Sequence, residues 1–340
     1  MKNIKRWVDD NNQLGTHLIH LVAGDIGGTK SWLAWFTHKP NQPSVIQFEQ
    51  TYVSAAFASV SDLIRQFAID AGHAVVRLDR LLLALPGPVE MGVIRLTNLD
   101  WLVDASALER DFSIADVRFV NDFQAAAAGV ATLDKADYIE LNHGLARLGG
   151  VRVITGAGTG LGLAWMQADA NGTYQTFATE GGHVDFASAD ALQRALLSWL
   201  QSRFQHVSWE RVLSGSGLGL LHEFLTTVVY MRDLPGLLEA GQIHALAIAG
   251  DEVASEAVQL FVDIYAAWVG NVAMLYQPRG GLYIAGGVAI HLQQWMTTAR
   301  FIQIATAKGR MANLVQEMPI YLITNPRLGL QGAMSVAISS

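Results

Sequence analysis

The sequence predicts an α/β protein of two related lobes, unequal in size, with a cleft between them. Three observations carry that prediction. A glycine-rich pattern occurs twice, as Asp25-Ile-Gly-Gly-Thr-Lys and as Thr155-Gly-Ala-Gly-Thr-Gly. A shift of 130 positions superposes Gly28 on Gly158, Thr29 on Thr159, Leu33 on Leu163, Ala34 on Ala164 and Trp35 on Trp165. The chain of 340 residues is long for a single core, and 51% hydrophobic against 16% charged residues implies much buried surface and little disorder.

The elements follow in order. Residues 1–17 lack an apolar stretch of the secretory kind and read as a polar extension. Leu18–Ala23 is an apolar strand that meets the first glycine turn and continues into a second strand near 30–36. Such a hairpin exposes backbone N–H groups that can bind phosphate oxygens. Ser59–Ala71 has Leu63, Ile64, Phe67 and Ala68 at helical spacing. Leu81–Leu85 is a strand stopped by Pro86-Gly87-Pro88. Val117–Val120 is another, running through Asn121-Asp122 into a helical segment, Phe123–Val130. Strand, polar residue, helix is the order that sets a functional group at the carboxyl edge of a sheet.

The second half repeats the hairpin at Val151–Ile154 and the second glycine turn. Helices are expected at 189–204, 217–229, 252–276 and 289–299, and a strand at Leu282–Ala285 ends in Gly286-Gly287. The division places residues 18–131 with 325–340 in the smaller domain and 132–324 in the larger. The best candidate for a membrane span, Ile264–Tyr276, is short and contains Asn271, so it reads as a buried helix. Net charge −7 without a dense basic run argues against nucleic acid, and zero Cys removes thiolate chemistry and disulfides. A small-molecule substrate and a cytoplasmic setting are the expectation.

Several residues suit phosphoryl transfer. Neither glycine loop fits G-x-x-x-x-G-K-[ST] or G-x-G-x-x-G with its acidic ribose reader. Gly27, Gly28 and Thr29 in one turn, and Gly156, Gly158, Thr159 and Gly160 in the other, could hold a polyphosphate. Asp25 suits a Mg²⁺ ion held through its waters. The plain alternative is two hairpins with glycine for the turn. Asn121-Asp122 has the composition of a helix N-cap; the functional reading makes Asp122 a general base, with Asn121 and Asn98 fixing the alcohol. Glu180-Gly-Gly-His183 brings a carboxylate and an imidazole together, with glycines that let the backbone approach a ligand; a surface turn is the alternative. Ser208 could cap a helix carrying Glu210 inward, although a lone Glu is usually solvated. Gly286 and Gly287 could pack against an adenine or ribose, or form an ordinary strand-to-helix turn. Trp35 and Trp165 read as core.

In order along the chain, Asp25-Ile-Gly-Gly-Thr, Leu96-Thr-Asn98, Phe119-Val-Asn-Asp-Phe, Thr155-Gly-Ala-Gly-Thr-Gly-Leu-Gly, Glu180-Gly-Gly-His-Val-Asp-Phe, Val207-Ser-Trp-Glu-Arg-Val-Leu-Ser-Gly and Ile284-Ala-Gly-Gly resemble the bacterial ATP-dependent glucokinases of the non-ROK type. The resemblance implies the actin-like ATPase (ribonuclease H-like) fold, with ATP and Mg²⁺ on the hairpins and glucose between lobes that close to exclude water. It implies phosphorylation of D-glucose at the start of glycolysis, Asp122 as base, sugar contacts from Asn98, Asn121, Glu180, His183 and Glu210, and a homodimer. The C-terminal helix, about 329–338, would return to the first lobe. Lys30 departs from the Asn of many members and is similar to ROK kinases, whose zinc-binding cysteines this chain lacks. Ser216 replaces a common Pro. Trp209 beside Glu210 would alter sugar preference, so a kinase for mannose or an N-acyl sugar is one alternative and a non-catalytic sugar sensor another.

Overall fold

The computed structural model describes residues 18–72, 78–87, 92–96, 99–234 and 236–339. Asn98, a candidate sugar contact, and Pro88 lie outside the described residues. The chain divides into two compact units, one built from the residues up to Thr132 with those from Arg327 onward, the other from Leu133–Pro326.

The first unit contains β1 (Ile19–Ile26), β2 (Lys30–His38), β3 (Val45–Val53), β4 (Arg80–Leu85), the short β5 (Val93–Arg95) and β6 (Leu102–Asp104), and β7 (Val117–Asn121). Its sheet runs β3-β2-β1-β4-β7, with β1, β2 and β3 antiparallel and with β4 and β7 parallel to β1. Alternation along β1 decides what each face carries. Val22 and Ile26 pack with Leu33, Leu63, Phe67 and Leu83 on one side. Leu21 and Ala23 pack with Ala84, Val120, Ala125, Ala333 and Ala337 on the other, which puts Asp25 on the side of the helices Asp122–Gly129 and Leu328–Ser339. Those helices cross on glycine. A Cβ on Gly332 would lie 1.8 Å from the Ala125 carbonyl, and one on Gly129 would lie 2.5 Å from that of Leu328.

The second unit contains β8 (Tyr138–Asn142), β9 (Arg152–Ala157), β10 (Leu161–Ala168), β11 (Tyr174–Thr179), β12 (Gly281–Ala285) and β13 (Ile320–Ile323). The order is β11-β10-β9-β12-β13-β8. Its β11-β10-β9-β12 part repeats the pattern of β3-β2-β1-β4: three antiparallel strands, then a parallel neighbour. The helix Glu252–Tyr276 packs under this sheet with Phe261, Tyr265 and Trp268 buried. Contrary to the sequence reading, this helix has the length and hydropathy of a membrane span, yet two-thirds of its most apolar window (67%) is buried inside the protein. Two of its side chains grip β9: the Trp268 indole N–H donates to Thr155 Oγ1 at 2.9 Å, and the Tyr265 hydroxyl accepts the Ala157 N–H at 3.0 Å.

Most expected elements form within a residue or two of their expected ends. The stretch expected as one helix at 289–299 is instead two short ones, Gly287–His291 and Gln293–Met296, before Ala299–Thr306. Val45–Val53 gave no clear strand signal because it is an edge strand, whose burial is never complete on either face. Trp35 packs against the first unit's core, and Trp165 stacks on Phe177 with centroids 4.3 Å apart, so both indoles serve packing as expected.

Candidate active site

Three parallel strands of the first unit end at one edge. Register pairs Asp25 of β1 with Ala84 of β4, and Leu85 with Asn121 of β7. Asp25 and Asp122 therefore flank β4 at the carboxyl edge, two strands apart across the sheet, with Asp122 two residues further along. The Asp25 carboxylate sits against the start of the C-terminal helix, where a Cβ on Gly329 would lie 2.2 Å from its Oδ2. Burial pushes its carboxyl up to about 6, with the Lys30 ammonium opposing the rise. A carboxylate so placed is a ready partner for a cation.

The glycine turn after β1 is held by a residue the sequence reading missed. Gly27 donates its N–H to the Lys30 carbonyl at 3.0 Å. Buried Ser54 donates its hydroxyl to the Gly27 carbonyl at 2.7 Å, lies 2.8 Å from the Ser31 hydroxyl, and donates its N–H to the Thr29 carbonyl at 3.1 Å. Gly28 is half-buried and Thr29 exposed, so the tip of the turn is accessible. Lys30 lies over the Trp32 ring, its Nζ 4.3 Å from the centroid.

At β7, Asn121 and Asp122 take different places at the helix start. Asn121 is the N-cap, its Oδ1 accepting the Gln124 N–H at 3.1 Å and its amide donating to the Gly87 carbonyl at 3.3 Å. Asp122 opens the helix, and its Oδ1 accepts the Phe123 N–H at 2.8 Å.

In the second unit Glu180, His183 and Glu210 come together beside the second glycine turn. His183 Nε2 is 3.8 Å from Glu180 Oε2, and its Nδ1 is 3.8 Å from Glu210 Oε1. Glu210 is not solvated as a lone Glu usually is. Ser208 caps its helix by accepting the Arg211 N–H at 3.2 Å, and the other Glu210 oxygen accepts the Leu161 N–H at 2.9 Å. Gly160 makes room for it: a Cβ there would meet Glu210 Oε2 at 2.5 Å. Gly158 donates its N–H to the Gly160 carbonyl at 2.8 Å and accepts from Gly215 N–H at 2.9 Å. Thr159 is exposed at the tip, and Gly156 is buried in β9.

Three expectations change here. The glycines between Glu180 and His183 serve the protein's own packing, since a Cβ on Gly182 would lie 2.0 Å from the Leu161 carbonyl and one on Gly181 would meet Leu163 at 2.5 Å. Trp209 turns into the core, edge-on to Phe186 at 5.1 Å, and is buried. Gly286, at φ +94°, approaches β9 so closely that a Cβ would meet the Ala157 carbonyl at 2.4 Å, whereas Gly287 faces open space. Of this pair only Gly287 is free of close packing.

A family model described as Glucokinase matches residues 22–339. A glucokinase of Synechocystis sp. is 34% identical over 355 aligned positions, covering 96% of this chain and 100% of that one. Among solved structures, a glucokinase from an Antarctic psychrotroph is 30% identical with a TM-score of 0.79, covering 95% of this chain and 99% of that one. A ROK family glucokinase from Streptomyces griseus, in complex with glucose and AMPPNP, has a TM-score of 0.62 at 18% identity over 94% of this chain and all (100%) of that one, a likeness of fold alone. Both units therefore carry the actin-like ATPase architecture.

Proposed function

The chain belongs to the glucokinase family, and on that premise we propose that it transfers the terminal phosphoryl group of ATP to the 6-hydroxyl of D-glucose. The observation that supports this most is the convergence of Glu180, His183 and Glu210, from two separate segments, next to a glycine turn. Two carboxylates and an imidazole set about 4 Å apart suit the spaced hydroxyls of a sugar, and carboxylates accept hydrogen bonds that hydroxyls donate.

Asp122 accepts the proton of the 6-hydroxyl as the oxygen attacks phosphorus. Asn121, held by its capping and Gly87 contacts, and Asn98 fix the alcohol. Gly27, Gly28 and Thr29 hold the transferred end of the nucleotide, and Gly158, Thr159, Gly160 and Gly287 hold the remainder, whereas Gly156 and Gly286 are taken up by the packing of β9. Asp25 fits a Mg²⁺ ion carried on the phosphates: burial raises its carboxyl to about 6, and a cation beside it would favour the charged form. When bound, the ion neutralises charge on the phosphates. Phosphoryl transfer otherwise asks mainly for positioning.

The decisive measurement is Asp122→Ala. Removing a general base lowers kcat by about 10²–10⁴, while glucose binding by calorimetry persists. Turnover near that of the wild type would end the base assignment. A cytoplasmic homodimer belongs to the same proposal, and a monomer by analytical ultracentrifugation would remove that part.

A further inference from the structure

We infer that His206 is a positioning residue for sugar binding, holding His183 in place through the backbone; the inference rests on the glucose reading above. His206 lies in the loop before the Glu210 helix, and its Nε2 donates to the His183 carbonyl at 2.8 Å. Its Nδ1 faces Asp185 Oδ1 at 3.3 Å. A carbonyl accepts only, so Nε2 carries a proton and is the donor.

The surroundings explain why this bond matters. The segments bearing His183 and Glu210 are laced by two backbone bonds, Phe186 N–H to the Val207 carbonyl at 2.9 Å and Trp209 N–H to the Val184 carbonyl at 3.0 Å. That ladder ends at Val184, one residue short of His183. Glu210 is fixed independently by the Leu161 N–H, whereas His183 stands 56% exposed in a short turn closed by its own N–H to the Glu180 carbonyl at 3.0 Å. His206 supplies the tie beyond the end of the ladder and thereby sets the 3.8 Å separation of His183 from Glu210. The other charged groups of its segment are engaged elsewhere, Arg203 with Glu223 and Arg211 over the Phe204 ring. Asp185 is exposed, so its contact with Nδ1 orients the ring more than it stabilises the fold.

The test compares His206→Ala, His206→Gln and Asp185→Asn by steady-state kinetics, glucose calorimetry and thermal unfolding. His206→Ala is expected to raise the glucose KM and Kd about five- to tenfold, with kcat and the ATP KM within about twofold. His206→Gln, whose amide can still donate to the His183 carbonyl, is expected to recover most of that loss. Asp185→Asn, which keeps the histidine, is expected to cost about two- to threefold and decides the matter if His206→Ala does not fold. Unchanged glucose affinity in both His206→Ala and Asp185→Asn would overturn the inference, as would equal losses in glucose and ATP affinity. A wild-type enzyme that phosphorylates no glucose would instead overturn the functional reading, and the same variants would then be compared by calorimetry with the hexose that binds best.

Discussion

Single atoms decide the geometry of both glycine turns. Glu210 reaches the Leu161 N–H only because residue 160 has no Cβ, so Gly160→Ala must displace the carboxylate. Overpacking of this kind costs about 1–3 kcal/mol, and the expected result is a rise of about tenfold in the glucose KM with folding retained. Gly329→Ala meets Asp25 in the same way, and its expected effect falls on kcat and on the Mg²⁺ concentration needed for half-maximal rate. Ser54→Ala strands the Ser31 hydroxyl and the Gly27 carbonyl in a buried setting, a loss of about 1–3 kcal/mol; a lower unfolding temperature together with a raised ATP KM would confirm the staple. Gly160 and Glu210 were each legible as candidates. Their contact was not, because 50 residues separate them, and Ser54 carries no motif at all.

At the scale of elements, capping was the main ambiguity of the Asn121-Asp122 pair, and the helix start resolves it. Asn121 takes the cap, and its second bond to Gly87 locks the end of β7 to the end of β4. Asn121→Ala is expected to destabilise by about 1 kcal/mol in chemical denaturation and also to lower kcat, since Asp122 follows it directly; Asn121→Asp should restore the cap more fully than the rate. The glycine hairpins themselves were readable because each is local, an apolar strand broken by glycine and resumed. Their support was not readable: β9 is held from below by Trp268 and Tyr265, more than 100 residues downstream. The Gly181-Gly182 pair teaches the converse. Gly182 marks close approach to the Leu161 backbone and Gly181 to the Leu163 side chain, which a sequence cannot distinguish from approach to a ligand.

For the whole molecule, the first unit is closed by a charge network between chain regions far apart. Arg80 Nε donates to Asp116 at 2.7 Å and its Nη1 to the Ala337 carbonyl at 2.6 Å, while Arg118 Nε donates to the other Asp116 oxygen at 2.7 Å. Burial opposes the Asp116 charge, but the hydrogen bonds from Arg118 and Arg80 outweigh it and hold this carboxyl below its ordinary value. A folded pKa below the unfolded one means that the contribution is complete above the usual carboxylate range and is lost as pH falls through the folded value. Urea midpoints should therefore drop in acid, and Asp116→Asn should be less stable near neutrality with a flatter acid limb. An unchanged limb would show that other carboxylates govern it.

Local pattern and periodicity determined the strands, the repeated glycine turns, most helices and the identity of the candidate residues, because each of those depends on neighbours within a few positions. Motif order determined the family. The tertiary structure alone decided which candidates meet: that Glu180 and Glu210 flank one imidazole, that Asp25 lies on the side of the sheet covered by the C-terminal helix, that Trp209 faces the core, and that His206 reaches back to His183. Each of those turns on packing between segments distant in the chain, where side-chain direction is set by what the partner segment leaves room for.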